Sequence, residues 1–302
     1  MERRTGSPLL HYAQGMLMGT ADVIPGVSGG TVALILGIYK RLIDSLSALF
    51  SGLAAALRGR RAKAGERFRE VEWRLAIPLL LGIGTAIVIG SKVIPPLMER
   101  YPAESRGLFF GLVAASIAVP WMGIDSRGVR EILLILVSAA LAFVLVGLPP
   151  SESSDPSMAR VFGSAAVAIC AMILPGVSGA FLLSVLGMYT PTLAALSALN
   201  VPYILVFIAG AATGLAVFSK ILQFFLNRWH DLTMAALVGL MAGSLRALWP
   251  WQGEAREVLL PGPADPVASV LLLTLLGFAL VSALTWWGAR QLHREMQEME
   301  EG

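Results

Sequence analysis

Uncharged apolar blocks run through this chain at lengths that only a bilayer requires. Leu75–Ile89, Ile132–Leu148 and Val267–Gly288 contain no acidic or basic residue. Each approaches the roughly 20 residues needed to cross about 30 Å of hydrocarbon. The apolar residues fill blocks rather than helical stripes, so these segments have no polar face to turn to water. With 14% charged and 56% hydrophobic residues, a soluble domain could not cover its surface. The single cysteine, Cys170, can form neither an internal disulfide nor a thiolate metal site, which excludes redox and zinc chemistry. Met1-Glu2-Arg3-Arg4 leads into a weak apolar segment without a small-residue cleavage site, so no cleavable signal peptide is expected. The net charge of +3 is no nucleic-acid footprint, because the basic residues cluster in loops, where they report topology.

The chain is internally repeated. Ala21-Asp22-Val23-Ile24-Pro25-Gly26-Val27-Ser28-Gly29-Gly30 returns 150 residues later as Ala171-Met172-Ile173-Leu174-Pro175-Gly176-Val177-Ser178-Gly179-Ala180. Leu36-Gly37-Ile38-Tyr39 returns as Leu186-Gly187-Met188-Tyr189. A second block repeats at an offset of 128, where Gly82, Thr85, Ser91, Lys92, Arg100, Gly111, Ser116 and Trp121 meet Gly210, Thr213, Ser219, Lys220, Arg228, Gly239, Ser244 and Trp249. The offset falls by 22 because the first half carries a basic stretch, about residues 52–74, that the second lacks. Two colinear echoes point to duplication.

The expected fold is an all-α polytopic membrane protein of two inverted-topology repeats, 1–150 and 151–302. Each repeat reads as a re-entrant helical hairpin, about 9–46 and 158–199, followed by three transmembrane helices. The spans are about 75–98, 105–123 and 131–149, then 203–226, 233–249 and 267–289. The apolar pieces flanking the Pro-Gly turns are too short to cross singly. Three crossings are an odd number, so the second repeat lies upside down, as in many transporters. With both termini in the cytoplasm, the inside receives Arg3, Arg4, the run from Arg58 to Arg74, Arg127, Arg130, Arg228, Arg290 and Arg294, while the outside receives Arg100, Arg160 and Arg256. That is a strong positive-inside bias. The basic stretch is read as a topology determinant, with contact to anionic headgroups as the alternative.

Proline and glycine break a helix, and broken backbone survives at membrane depth only when buried in protein or lining a wet cavity. Helix starts offer unpaired N–H groups to phosphate or carboxylate. Gly26, Ser28, Gly29, Gly30 and Thr31, with Gly176, Ser178 and Gly179, are therefore the candidate phosphate site; a simple kink with local serine caps is the alternative. Asp22 is charged in an apolar stretch, and its repeat mate is Met172. It is read as a proton- or cation-coupling carboxylate, or else as a buried ion pair or cap. Lys92, Lys220 and Arg246 are candidate headgroup contacts, or else interfacial anchors that snorkel. The tryptophans Trp249, Trp251, Trp286 and Trp287 read as an aromatic belt.

Gly26-Val27-Ser28-Gly29-Gly30 also fits the nucleophile-elbow pattern and the Gly-x-Ser-Gly of rhomboid intramembrane proteases. A serine nucleophile needs a base in reach. Of the three histidines, His230 and His293 fall in a loop and the tail, and His11 lies at the mouth of the first segment; Ala180 breaks the pattern in the second copy. The reading is a transporter, not an enzyme, with no cofactor, metal constellation or nucleotide loop.

The doubled motif, Ala21 to Thr31 and Ile173 to Gly179, resembles the domain-of-unknown-function 368 family, assigned as polyprenyl-phosphate (undecaprenyl-phosphate) translocases of prokaryotic membranes. The resemblance covers nearly the whole chain. It implies a flippase of the cytoplasmic membrane that returns undecaprenyl phosphate from the outer to the inner leaflet for cell-envelope polymers such as peptidoglycan. The implied partners are the polyprenyl-phosphate lipid and membrane lipids, with proton or sodium coupling. A small-anion or ion-coupled secondary transporter is the alternative. The second copy lacks the Gly-Gly-Thr of the first, so the two half-sites are expected to differ.

Overall fold

The computed structural model describes residues 7–23, 28–149, 151, 156–253 and 256–300, with the backbone alone at 91, 95, 284 and 287–300. These residues are almost all helical. Helices α1 (Pro8–Val23) and α9 (Met158–Ile173) have 16 residues each, about 24 Å and so short of a full crossing. Helix α9 leads through a Pro175-Gly176 turn into the seven-residue α10 (Gly179–Val185), and α1 is followed, beyond residues 24–27 that lie outside the described residues, by the seven-residue α2 (Gly29–Ile35). Both short helices end at a glycine in the left-handed region, Gly37 at φ +67° and Gly187 at φ +71°. The closing hydrogen bonds match as well: Ile38 N to Ala33 O at 3.0 Å and Met188 N to Leu183 O at 2.8 Å. Such a cap stops a helix and redirects the chain. The second half-helix is therefore shorter than the sequence suggests. A further helix follows in each half, α3 (Tyr39–Leu57) and α11 (Tyr189–Ser197), and α10 meets α11 at 107°.

The basic stretch is not a loop. It folds as α4 (Arg61–Glu70), because Gly59 at φ +72° turns the chain and Ala64 and Phe68 give the charged helix an apolar face toward α3. Next come α5 (Trp73–Arg100), α6 (Pro102–Ser116), α7 (Ala118–Met122) and α8 (Val129–Val146). The second half continues with α12 (Val201–Arg228), α13 (His230–Ser244), a 3-10 turn at Leu245–Leu248, and α14 (Val267–Glu300). The α6–α7 and α13–3-10 breaks share a cause. Ser116 Oγ donates back to Val113 O (2.7 Å) and Ser244 Oγ to Met241 O (2.8 Å), a bond that bends helices. Five described helices are long and apolar enough to cross a membrane: α5, α6–α7, α8, α12 and α13 with its 3-10 turn. The chain is a multi-pass membrane protein.

Packing repeats between the halves. Helix α1 lies on α5 and α9 on α12, while α6 packs on α14 and α13 on α8. Small residues allow the close approach. A Cβ on Gly82 would strike the Tyr12 carbonyl, and one on its mate Gly210 would strike that of Phe162. Large apolar side chains such as Leu80, Leu136, Leu205 and Leu272 stay exposed, which suits lipid. At one end of the molecule, Arg41 pairs with Glu72 (2.5 Å) and Gln223 Nε2 donates to Asp44 (2.8 Å), so α3, α5 and α12 meet there. At the other, Arg106 donates to Pro250 O (3.3 Å) and Ser269 to Glu104 (3.3 Å).

Candidate functional site

The start of α2 is tied to the second turn. Ser28 is extended (φ −128°, ψ 136°) at the start of α2. Its Oγ accepts from Gly30 N at 3.1 Å and donates to the Met172 carbonyl at 3.0 Å. Thr31 Oγ1 accepts the buried Gly176 N–H at 3.0 Å, and the Tyr39 hydroxyl donates to Ile173 O at 3.2 Å. Gly30 has room only for hydrogen, since a Cβ would stand 2.5 Å from the Ile173 carbonyl. Asp22 Oδ1 accepts from Gly29 N at 2.7 Å, so the carboxylate caps α2. In the second copy Met172 covers Gly179 in the same way but cannot do the same work, because a thioether is a weak acceptor. Gly26 lies outside the described residues. Ser28 and Thr31 are each 2% exposed, and the hydroxyls expected to hold phosphate join the two turns instead.

The second turn faces open space. Ser178 caps α10 weakly, accepting from Phe181 N at 3.4 Å. With Ala180, Phe181 and Tyr189 it lines a 360 Å³ cavity that also holds Arg106 and Arg256, with no carboxylate among the described lining residues. Arg256 rides on the hairpin after the 3-10 turn, which is closed by Leu259 N to Trp251 O (3.0 Å) and Trp249 Nε1 to Leu259 O (2.8 Å). Its backbone is left-handed at φ +64°, strained for a side chain of this size. The guanidinium stacks on Phe181, 4.3 Å from the ring centroid. Its Nη1 is buried with no partner among the described residues. Burial pushes the Arg256 pKa down from its ordinary value, but a guanidinium stays charged. Fixed cations beside a hydroxyl recognise phosphate or carboxylate. The charge comes from these arginines rather than from a seven-residue helix, whose dipole is small.

A second cavity of 170 Å³ adjoins the first through Ser178 and Ala180. Asp22 and Ser28 reach its edge, and the rest is apolar, with Ile169, Met172, Leu183 and Phe207 among its walls. A basic basin beside an apolar slot has the chemistry to take an anionic amphiphile.

A family model described as undecaprenyl phosphate translocase-like matches residues 18–260. The chain belongs to that family. A "Polyprenyl-phosphate transporter" of Vibrio cholerae is 38% identical over 252 residues, 83% of this chain and 81% of that one. A "Polyprenyl-phosphate transporter" of Staphylococcus aureus is 28% identical over 260 residues, 80% of this chain and 86% of that one. Both relatives are named as transporters. No solved structure matches the chain.

Other expected site residues of this family member lie apart from the basin. Lys92 is exposed on α5, and Lys220 lines a separate cavity with Arg58, Arg60, Lys63 and Arg67. Arg246 Nη1 donates to Phe143 O (3.0 Å), and its guanidinium covers the Phe143 ring at 4.6 Å, so it closes the end of α8. Trp249 packs edge-on against Phe110 and Trp251. His11 is buried and hydrogen-bonds Gln14 at 2.8 Å. Ser28 donates to carbonyls rather than to a base, so it is not set up as a nucleophile. Arg106 and Arg256 went unrecognised in the sequence. Arg106 did carry a signal, being a charge within the 105–123 span whose repeat mate is Met234. Arg256 looked like an ordinary loop charge.

Proposed function

We propose that this chain transports a polyprenyl phosphate, returning undecaprenyl phosphate from the outer to the inner leaflet of the cytoplasmic membrane. One observation carries this reading: two arginines and a serine line a cavity that shares Ser178 and Ala180 with an apolar slot. A small anion would need the basin but not the slot, so the lipid is favoured over a small-anion or ion-coupled transporter. The halves are inverted repeats with re-entrant turns, and both termini lie inside. On that topology the basin opens outward, and the interlocked turns close the path inward. The phosphate enters between Arg106 and Arg256, with Ser178 beneath it, and the first prenyl units lie along the slot while the tail stays in lipid. The turns then part, and the halves rock to expose the phosphate to the cytoplasm. Asp22 takes a proton when α2 shifts, giving the cycle a direction. The released lipid serves a further round of envelope polymer synthesis.

The test is leaflet accessibility of undecaprenyl phosphate in proteoliposomes. Charge-assisted hydrogen bonds contribute about 1.5–3 kcal/mol each, so Arg106→Gln and Arg256→Gln should each slow transport about 10- to 100-fold, and the double variant more. Unchanged transport in a folded double variant ends this assignment. Uptake of radiolabelled inorganic phosphate at a comparable rate would favour the small-anion reading.

A further inference from the structure

We propose a second phosphate-binding site at the opposite end of the molecule, in the pocket between α3, α4 and α12. It takes a phosphate group, on a lipid headgroup or free in solution. A topology determinant needs only charge on one side of the membrane, and a loose loop would serve. This stretch is built instead. Gly59 reverses the chain, with Arg60 N bonding to Ala55 O at 2.9 Å. Phe68 rests on Gly52, where a Cβ would stand 3.0 Å from the ring, and Trp73 Nε1 holds the Phe68 carbonyl at 2.9 Å.

The fold thereby converges Arg58, Arg60, Lys63 and Arg67 on Lys220, which arrives from the other half of the chain. They surround 210 Å³ floored by Ser51, Ala54 and Ala55, with no carboxylate among the described lining residues. The nearby acid Glu70 pairs with Arg67, at 2.8 Å on the exposed surface. Like charges repel, so gathering five cations around one hollow suits an anionic occupant. The volume holds a phosphate and several waters at about 30 Å³ per water. The repeat supplies a control: Lys92 is the mate of Lys220, but the second half has no counterpart of α4, and Lys92 stands exposed on α5.

The full chain, purified in detergent, is titrated by microscale thermophoresis with dioctanoyl phosphatidic acid, dioctanoyl phosphatidylcholine and inorganic phosphate. Arg106→Gln/Arg256→Gln is the background, so that the basin is silenced and its failure stays separate. Phosphatidic acid should bind in that background, and phosphatidylcholine should not. Adding Arg60→Gln, Lys63→Gln and Lys220→Gln should weaken binding about a hundredfold, and Lys63→Gln alone about fivefold. Lys92→Gln should change nothing. Free phosphate binding as tightly as the lipid supports the site with a soluble anion as its ligand; phosphatidic acid at least tenfold tighter assigns it to a headgroup. Binding that survives loss of the three cations in a variant with unchanged melting temperature, or equal binding of phosphatidylcholine, overturns the proposal.

Discussion

The first Pro-Gly turn and its duplicate have nearly the same sequence and opposite employment. Four matched positions make the contrast. Ser28 bonds across to Met172, while Ser178 lines the basin. Gly30 backs onto the Ile173 carbonyl, while its mate Ala180 faces the cavities. Thr31 accepts Gly176 N, while Phe181 carries the Arg256 guanidinium. Tyr39 is 3% exposed and seated on Ile173, while Tyr189 is 44% exposed beside the cavity. The first copy is tied to the second by hydrogen bonds, and the second copy lines the basin. The motif occurs twice in the sequence, and a few substitutions give its two copies different contacts. Ala180 also bars a mirror-image lock, because a methyl occupies the position where Gly30 admits a carbonyl.

The contrast breaks most sharply by moving the second copy's residue into the first. Gly30→Ala should force the Ile173 carbonyl away and destabilise the protein by about 1–3 kcal/mol, the usual cost of overpacking. The reciprocal Ala180→Gly should cost less than about 1 kcal/mol, the loss of helix propensity alone. Thermal melts of both variants in detergent check the pair. Equal shifts would mean that the two turns are structurally interchangeable.

A smaller effect separates binding from folding. Ser178→Ala removes a cap whose bond is long, 3.4 Å, so stability should fall by about 0.5–1 kcal/mol. Loss of one phosphate contact should slow transport about tenfold. Ser28→Ala should do the reverse, melting earlier because two bonds are lost. Leaflet-accessibility rates set beside melting temperatures distinguish the two serines.

Much of the architecture was legible before any coordinates. Block length matches the five described helices that are long and apolar enough to cross, and the doubled motif marks the segments that meet through Ser28, Thr31 and Tyr39. The helical state of α4 was hidden because charge clusters read as loops, while the helix is held by two small-scale contacts, Phe68 on Gly52 and Trp73 on Phe68. The basin was hidden for another reason. Repeat matching rewards residues that recur, and Arg106 and Arg256 do not. The motif residues Ser28 and Thr31 stand out because they lie at a helix break, and Ser28 recurs as Ser178, yet their hydroxyls are spent on the junction. Lys92 and Lys220 recur faithfully and lie away from both cavities.

Asp22 offers the subtlest test, because its mate Met172 cannot ionise. The carboxylate holds the first residue of α2 and also lines the apolar slot, so in the proposed cycle its charge state would bear on both the junction and the lipid. Asp22→Asn keeps an acceptor for Gly29 N, and stability should change by less than about 1 kcal/mol. What should disappear is pH sensitivity. If the proton on Asp22 gives the cycle its direction, wild-type transport varies across the acid range while the asparagine variant runs flat, with a rate within several-fold of wild type at its best pH. Matching pH profiles for the two proteins would reduce Asp22 to a helix cap and leave the direction of transport to the lipid gradient alone.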